Sequence, residues 1–171
     1  MRGFVQVYTG EGKGKTTAAL GLAMRAGGAG FQVYIGQFIK NADYSELKLL
    51  ERLADVITVE QFGRGCFLLV EPCQEDVNAA GKGLEALDQA LVSGLYDVVI
   101  ADEINVAVAL KLLSEGDLLT LIARKPPEVE LVLTGRGAPL SVLDRADLVT
   151  EMRAVKHYYD QGILARKGIE G

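Results

Sequence analysis

A glycine-rich string set between an apolar strand-like run and a helical one constrains this chain more than any other feature. It reads FVQVY, then TGEGKGKTT, then AALGLAMRA. Gly10, Gly12 and Gly14 let the backbone take positive φ and come close to a ligand. Their amides and the first free N–H groups of the helix then converge on an anion, and the helix dipole adds to the attraction. Lys15 brings a positive charge to the phosphates, expected as an exposed clamp, and the Thr16 hydroxyl is placed to ligate Mg2+. The segment Thr9 to Thr17 therefore reads as a loop for a nucleotide triphosphate. The usual phosphate-loop pattern has four residues between its first glycine and the Gly-Lys pair, whereas only Glu11, Gly12 and Lys13 separate Gly10 from Gly14. A loop one residue short is expected to seat the triphosphate in its own way.

Around that loop, short β-rich runs alternate with segments of helical period, the signature of βαβ units built on a mostly parallel sheet with helices on both faces. Strands are expected at Phe4-Tyr8, Gln32-Phe38, Val56-Gln61, Asp97-Asp102 and Val129-Thr134, with a short one near Leu148-Glu151. Helices are expected at Thr16-Ala26, Glu75-Ser93 and Gly116-Arg124, and Phe62-Gln74 reads as a long loop. The fold class is α/β, a RecA-like, P-loop NTPase-like arrangement, and 171 residues suit one domain burying roughly 70% of its unfolded surface. In such sheets ligands lie beyond the carboxyl ends of the strands. That nominates Thr9-Thr17, Gln37-Lys40, Gln61-Gly65, Asp102-Asn105 and Thr134-Gly137.

A net charge of -5 argues against a nucleic-acid partner, whose binding needs many Lys and Arg. No apolar run approaches the ~20 residues of a membrane span, and no secretory leader precedes FVQVY, so the expected compartment is the cytoplasm. Cys66 and Cys73 stand seven apart, which matches no zinc or redox spacing, and both read as free thiols.

The second half of the site is YDVVIADEIN, an apolar strand ending in Asp102 and Glu103. Carboxylates there suit Mg2+, a hard cation that favours oxygen ligands. In a nucleotide hydrolase the same Glu103 would activate water, so the motif alone does not choose between reactions.

Together VYTGEGKGKTTAALGLAMRA, QFIK, YDVVIADEIN, LVLTGRG and ADLVTEMRAVKHYYDQGILARKGIE resemble, in that order and over nearly the whole chain, the P-loop type of ATP:corrinoid adenosyltransferases. The resemblance implies one domain over residues 1–171 that moves the 5′-deoxyadenosyl group of ATP to the cobalt of a reduced corrinoid and releases triphosphate. It also implies Mg2+ or Mn2+, a homodimer and a flavoprotein reductant. Carried over by position, the nucleotide contacts fall on Gly10, Glu11, Gly12, Lys13, Gly14, Lys15, Thr16 and Thr17, with Arg25 and Arg136 as further arginines. The metal ligands fall on Thr16 and Glu103, with Asp102 beside them. Lys156 and His157 match a shared C-terminal motif, and a structural hydrogen bond is the expected role of His157.

Two departures from the family pattern matter. Relatives carry aromatic residues after a glycine in the loop following the third strand, where they displace the lower axial ligand of cobalt. Here the segment is Gly65-Cys66-Phe67-Leu68-Leu69, which leaves Phe67 as the one aromatic for that task. The chain also begins at the first strand, without the N-terminal extension that covers the site in some relatives, so enclosure of the site is expected to be incomplete or supplied by other segments. The competing readings are a P-loop phosphotransferase or ATPase, separated from adenosyl transfer by its products, and a nucleotide-sensing module without turnover.

Overall fold

The computed structural model of the chain describes residues 2–41, 44–64 and 72–169. Its strands are β1 (Val5–Thr9), β2 (Val33–Phe38), β3 (Ile57–Phe62), β4 (Val98–Asp102), β5 (Glu130–Thr134) and β6 (Leu148–Glu151). They form one six-stranded sheet in the order β3-β2-β4-β5-β1-β6, and every pair is parallel. All the expected strands are present, displaced by at most one residue at an end.

The helices are α1 (Lys15–Gly28), α2 (Ser45–Leu50), α3 (Gln74–Val92), α4 (Ile104–Ala109), α5 (Glu115–Arg124) and α6 (Leu140–Leu143). Single 3-10 turns occupy Glu51–Leu53 and Tyr158–Gln161. Helices α1, α3 and α5 match expectation, while α2, α4 and α6 do not announce themselves in the sequence. Each is shorter than two turns, too short to display a helical period. The stretch VAVA of α4 even alternates as a strand would.

Pleating divides the centre of the sheet between two apolar layers. Val98 and Ile100 of β4 pack with Ala19, Ala23 and Ala26 of α1 on one face. Val99 and Ala101 pack with Leu87 of α3 and Leu118 and Leu121 of α5 on the other. Alanine at positions i, i+4 and i+7 gives α1 a narrow buried stripe, which brings it close to the sheet. Helices on both faces explain why β2 and β4 are buried at every residue. The rim strand β6 is exposed at all four. Helix α3 is capped by Cys73, whose backbone N–H donates to Asp76 Oδ2 at 3.0 Å, and Cys73 is a free thiol as expected. Cys66 and most of the expected loop lie outside the described residues. No helix among the described residues is long and apolar enough to cross a membrane.

Candidate active site

The order of the sheet brings the carboxyl ends of β1, β5, β4 and β2 side by side, with Gln37 in register with Asp102 and Tyr8 with Thr134. Glycines shape the loop leaving β1: Gly10 has φ 94° and Gly14, the residue before α1, φ 120°. A left-handed or wider φ at these places penalises any side chain. At Gly12 the constraint is contact, since its N–H donates to the Met152 carbonyl at 2.6 Å and an added Cβ would stand 2.7 Å from that oxygen. The loop is thus held from the rim by the backbone that follows β6.

Lys15 differs from expectation. It is buried, not exposed, with 6% of its surface accessible. Its ammonium donates to the carbonyls of Gly10 at 2.6 Å and Gly12 at 2.8 Å, curling back over the loop. Burial lowers its pKa below the ordinary lysine value, and nearby Glu103 works the other way.

Asp102, at the end of β4, is 2% exposed, and both its oxygens are engaged by the protein. Oδ1 accepts from the hydroxyls of Thr16 at 2.9 Å and Thr134 at 2.7 Å. Oδ2 accepts from Lys40 Nζ at 2.7 Å and Gln37 Nε2 at 3.3 Å. Burial opposes the charge on Lys40, but the Asp102 carboxylate beside it prevails and its pKa lies above the ordinary value. In this arrangement Asp102 acts as an acceptor that orients Thr16: with the hydroxyl proton turned toward Asp102, the lone pairs of Thr16 are left for another partner.

Glu103 stands at the turn from β4 to α4 with φ 63°, a left-handed conformation uncommon outside glycine. Its N–H donates to Thr134 Oγ1 at 3.0 Å, which fixes the turn. Among the described residues nothing donates to its carboxylate. Burial, and after it the Asp102 charge, raise its pKa, against Lys40, Lys15 and Arg136. A desolvated, unpartnered carboxylate beside a hydroxyl with free lone pairs is a donor set that fits Mg2+.

These groups face one cavity of about 280 Å3 lined by Gly12 to Thr17, Glu103, Arg136, His157 and Ile169. Arg136 reaches it from the loop after β5, with Nη1 3.4 Å from Glu11 Oε2 in an exposed pair. Arg25 is not brought here. It lies in the last turn of α1, ten residues and roughly 15 Å along the axis from Lys15, where its charge acts on Tyr8. His157 accepts the Tyr159 N–H on Nδ1 at 3.1 Å, the structural bond expected of it, and also lines the cavity. Lys156 is exposed, and Phe67 lies outside the described residues. The sequence reading passes over the Met152 carbonyl as a site component, and it gives Thr134 and Lys40 no role beyond their places at strand ends. A lysine closing the run YIGQFIK is a signal that could have given Lys40 a role; a backbone carbonyl leaves none.

A glycine loop opening a helix, a threonine hydroxyl after its lysine and two carboxylates at the end of a parallel strand one removed in the sheet define a P-loop NTPase-like protein. Within that class the assignment is narrower: residues 1–171 match the family model described as ATP:corrinoid adenosyltransferase BtuR/CobO/CobP, and the chain belongs to that family. It is 35% identical to the corrinoid adenosyltransferase of Pseudomonas aeruginosa, over 99% of this chain and 84% of that one. The Corrinoid adenosyltransferase CobA of Salmonella typhimurium is also 35% identical, over 99% of this chain and 86% of its own length. The Escherichia coli corrinoid adenosyltransferase is 34% identical with the same coverage.

Proposed function

We propose that this chain transfers the 5′-deoxyadenosyl group of ATP to the Co(I) centre of a reduced corrinoid during formation of the cobalamin coenzyme. Family membership along the whole chain carries this reading. The cobalt electron pair forms the Co–C5′ bond, the C5′–O bond breaks, triphosphate leaves, and cobalt passes formally from Co(I) to Co(III). Because the substrate metal is itself the nucleophile, the residues around the cavity need only bind, orient and stabilise charge.

Lys15 and the loop amides are suited to the negative charge gathering on the departing triphosphate. Lys15 leaves the Gly10 and Gly12 carbonyls as an anion arrives, so its present contacts hold the ammonium near its working place. Thr16 and Glu103 would hold Mg2+, which supplies Lewis-acid stabilisation of the phosphates when bound. Asp102 supports this through Thr16. Arg136 and Thr17 face the same phosphates, and Phe67 is assigned to displacing the lower ligand of Co(II). The chain acts as one domain, as a homodimer in the cytoplasm, with a flavoprotein supplying electrons.

An anaerobic assay with ATP and chemically reduced corrinoid tests the reading. Triphosphate should appear in proportion to the light-sensitive adenosylated product. Stoichiometric ADP would instead identify a phosphotransferase or ATPase. Phe67→Ala should slow the reaction strongly from Co(II) with a mild reductant and far less from preformed Co(I), which has no lower ligand to displace. Equal impairment in both assays would remove Phe67 from that role.

A further inference from the structure

The structure assigns Lys40 as the positioning residue of the magnesium site: its ion pair holds Asp102 in the orientation that turns the Thr16 lone pairs toward the metal. This rests on the proposed Thr16 and Glu103 site. The ammonium is 2.7 Å from Asp102 Oδ2, and the side chains are 9% and 2% exposed. With Oδ2 fixed by Lys40 and by the longer bond from Gln37, Oδ1 is left pointing at the hydroxyls of Thr16 and Thr134. Without the ion pair Oδ2 keeps only the 3.3 Å bond from Gln37, and the carboxylate that serves Thr16 as acceptor is held less firmly.

The backbone is bent at a cost to place Lys40 there. Ile39, just before it, has φ 66°, a conformation that a β-branched residue strongly disfavours. The Ile39 N–H donates to the Phe62 carbonyl at 2.9 Å, which ties the turn after β2 to the end of β3. Gly63 admits the close approach: an added Cβ would stand 2.3 Å from the Ile39 carbonyl carbon and 2.7 Å from the Lys40 nitrogen. Strain at Ile39, glycine at 63 and burial of an ammonium converge on one side-chain position. That position contacts Asp102 and is absent from the lining of the phosphate cavity. Lys40 therefore stands behind Asp102 and Thr16 rather than in the phosphate cavity.

The prediction is selective, because groups that orient metal ligands are worth about 10 to 100-fold in metal affinity. ATP binding is measured by calorimetry on the native chain and variants, with EDTA and with saturating Mg2+, and the gain conferred by the metal is compared. Lys40→Met should lose about tenfold or more of that gain while keeping its affinity in EDTA, and Lys40→Arg should restore most of it. Gly63→Ala pushes on Lys40 without touching a charge and should show the same selective loss, so it decides the matter if Lys40→Met does not fold. Thr16→Val sets the level of complete loss. An absence of metal gain in the native chain would sink the magnesium reading itself. A native gain that folded Lys40→Met or Gly63→Ala retains within about twofold, or a loss equal in EDTA and Mg2+, would overturn the role of Lys40.

Discussion

The phosphate loop is held from two sides by unlike means. From the centre of the sheet, β4 delivers Asp102, a buried side chain that takes the Thr16 hydroxyl. From the rim, the residue after β6 bonds the loop through its backbone: the Met152 carbonyl accepts the Gly12 N–H, and the Met152 N–H donates to the Thr9 carbonyl. Strand β4 is buried at every residue and β6 at none. The central hold carries charge and depends on which residues are present. The rim hold carries shape, and any residue that keeps an extended backbone supplies it.

Several substitutions sharpen or break that contrast. Lys15→Ala removes the loop's own charge and should lower turnover about 100-fold or more, on the scale of losing a preorganised transition-state donor, with circular dichroism unchanged. Near-normal turnover would mean the loop does not hold the triphosphate. At the centre, Ile100→Ala opens a cavity between α1 and the sheet and should cost about 2–5 kcal/mol in denaturant unfolding. Gly12→Ala attacks the rim hold, forcing the Met152 backbone away. It should cost about 1–3 kcal/mol and raise KM for ATP more than it lowers kcat. An unaltered KM would show that the rim does not shape the loop.

Glu103→Gln should act in the opposite direction on stability. The folded pKa of Glu103 lies above its ordinary value of 4.5, so the folded state holds the proton more tightly than the unfolded one. Its contribution to stability is present below that ordinary value and is lost as pH rises through the raised folded pKa. At pH 7 without metal or nucleotide, the ionised carboxylate works against the fold. The amide should therefore raise Tm by a few degrees at pH 7 and leave it unchanged below pH 4, while turnover falls. A lower Tm at pH 7 would mean the carboxylate has a stabilising partner. The smallest effect belongs to Val149→Ala on β6, which should change stability by no more than about 0.5 kcal/mol because Val149 is 46% exposed.

The same division explains what was legible in the sequence. Strands such as VVIAD and LVLT are unbroken β-rich runs because helices cover both faces, and their positions were readable to within a residue. The glycine loop and the Asp102-Glu103 pair were readable because their residue types are tied to their chemistry. The division of labour within that pair was not. Which carboxylate is saturated depends on Lys40, just past β2, and Thr134, in β5, which reach Asp102 from 62 and 32 residues away. The buried posture of Lys15 was missed because it depends on carbonyls, which every residue carries. Helix α4 was missed because a residue with left-handed φ at Glu103 starts it, where sequence rules look for Ser, Thr or Asp.

Strand β1 is the first element of the fold, yet its only neighbours in the sheet are β5 and β6. Val5 pairs with Leu131 and Gln6 with Leu148, so during synthesis the opening strand waits for most of the polypeptide before it has anything to bond to. The glycine loop it carries waits with it, since Gly12 closes only on Met152. A ribosome-bound fragment ending before Met152 should therefore fail to retain ATP, although every residue of the loop has been made. Such distant pairings also slow folding, because a long loop must close before any contact rewards it. Nucleotide capture in this protein is a late event in the life of the chain, and adding ATP to a refolding reaction should stabilise the finished state without hastening the early collapse.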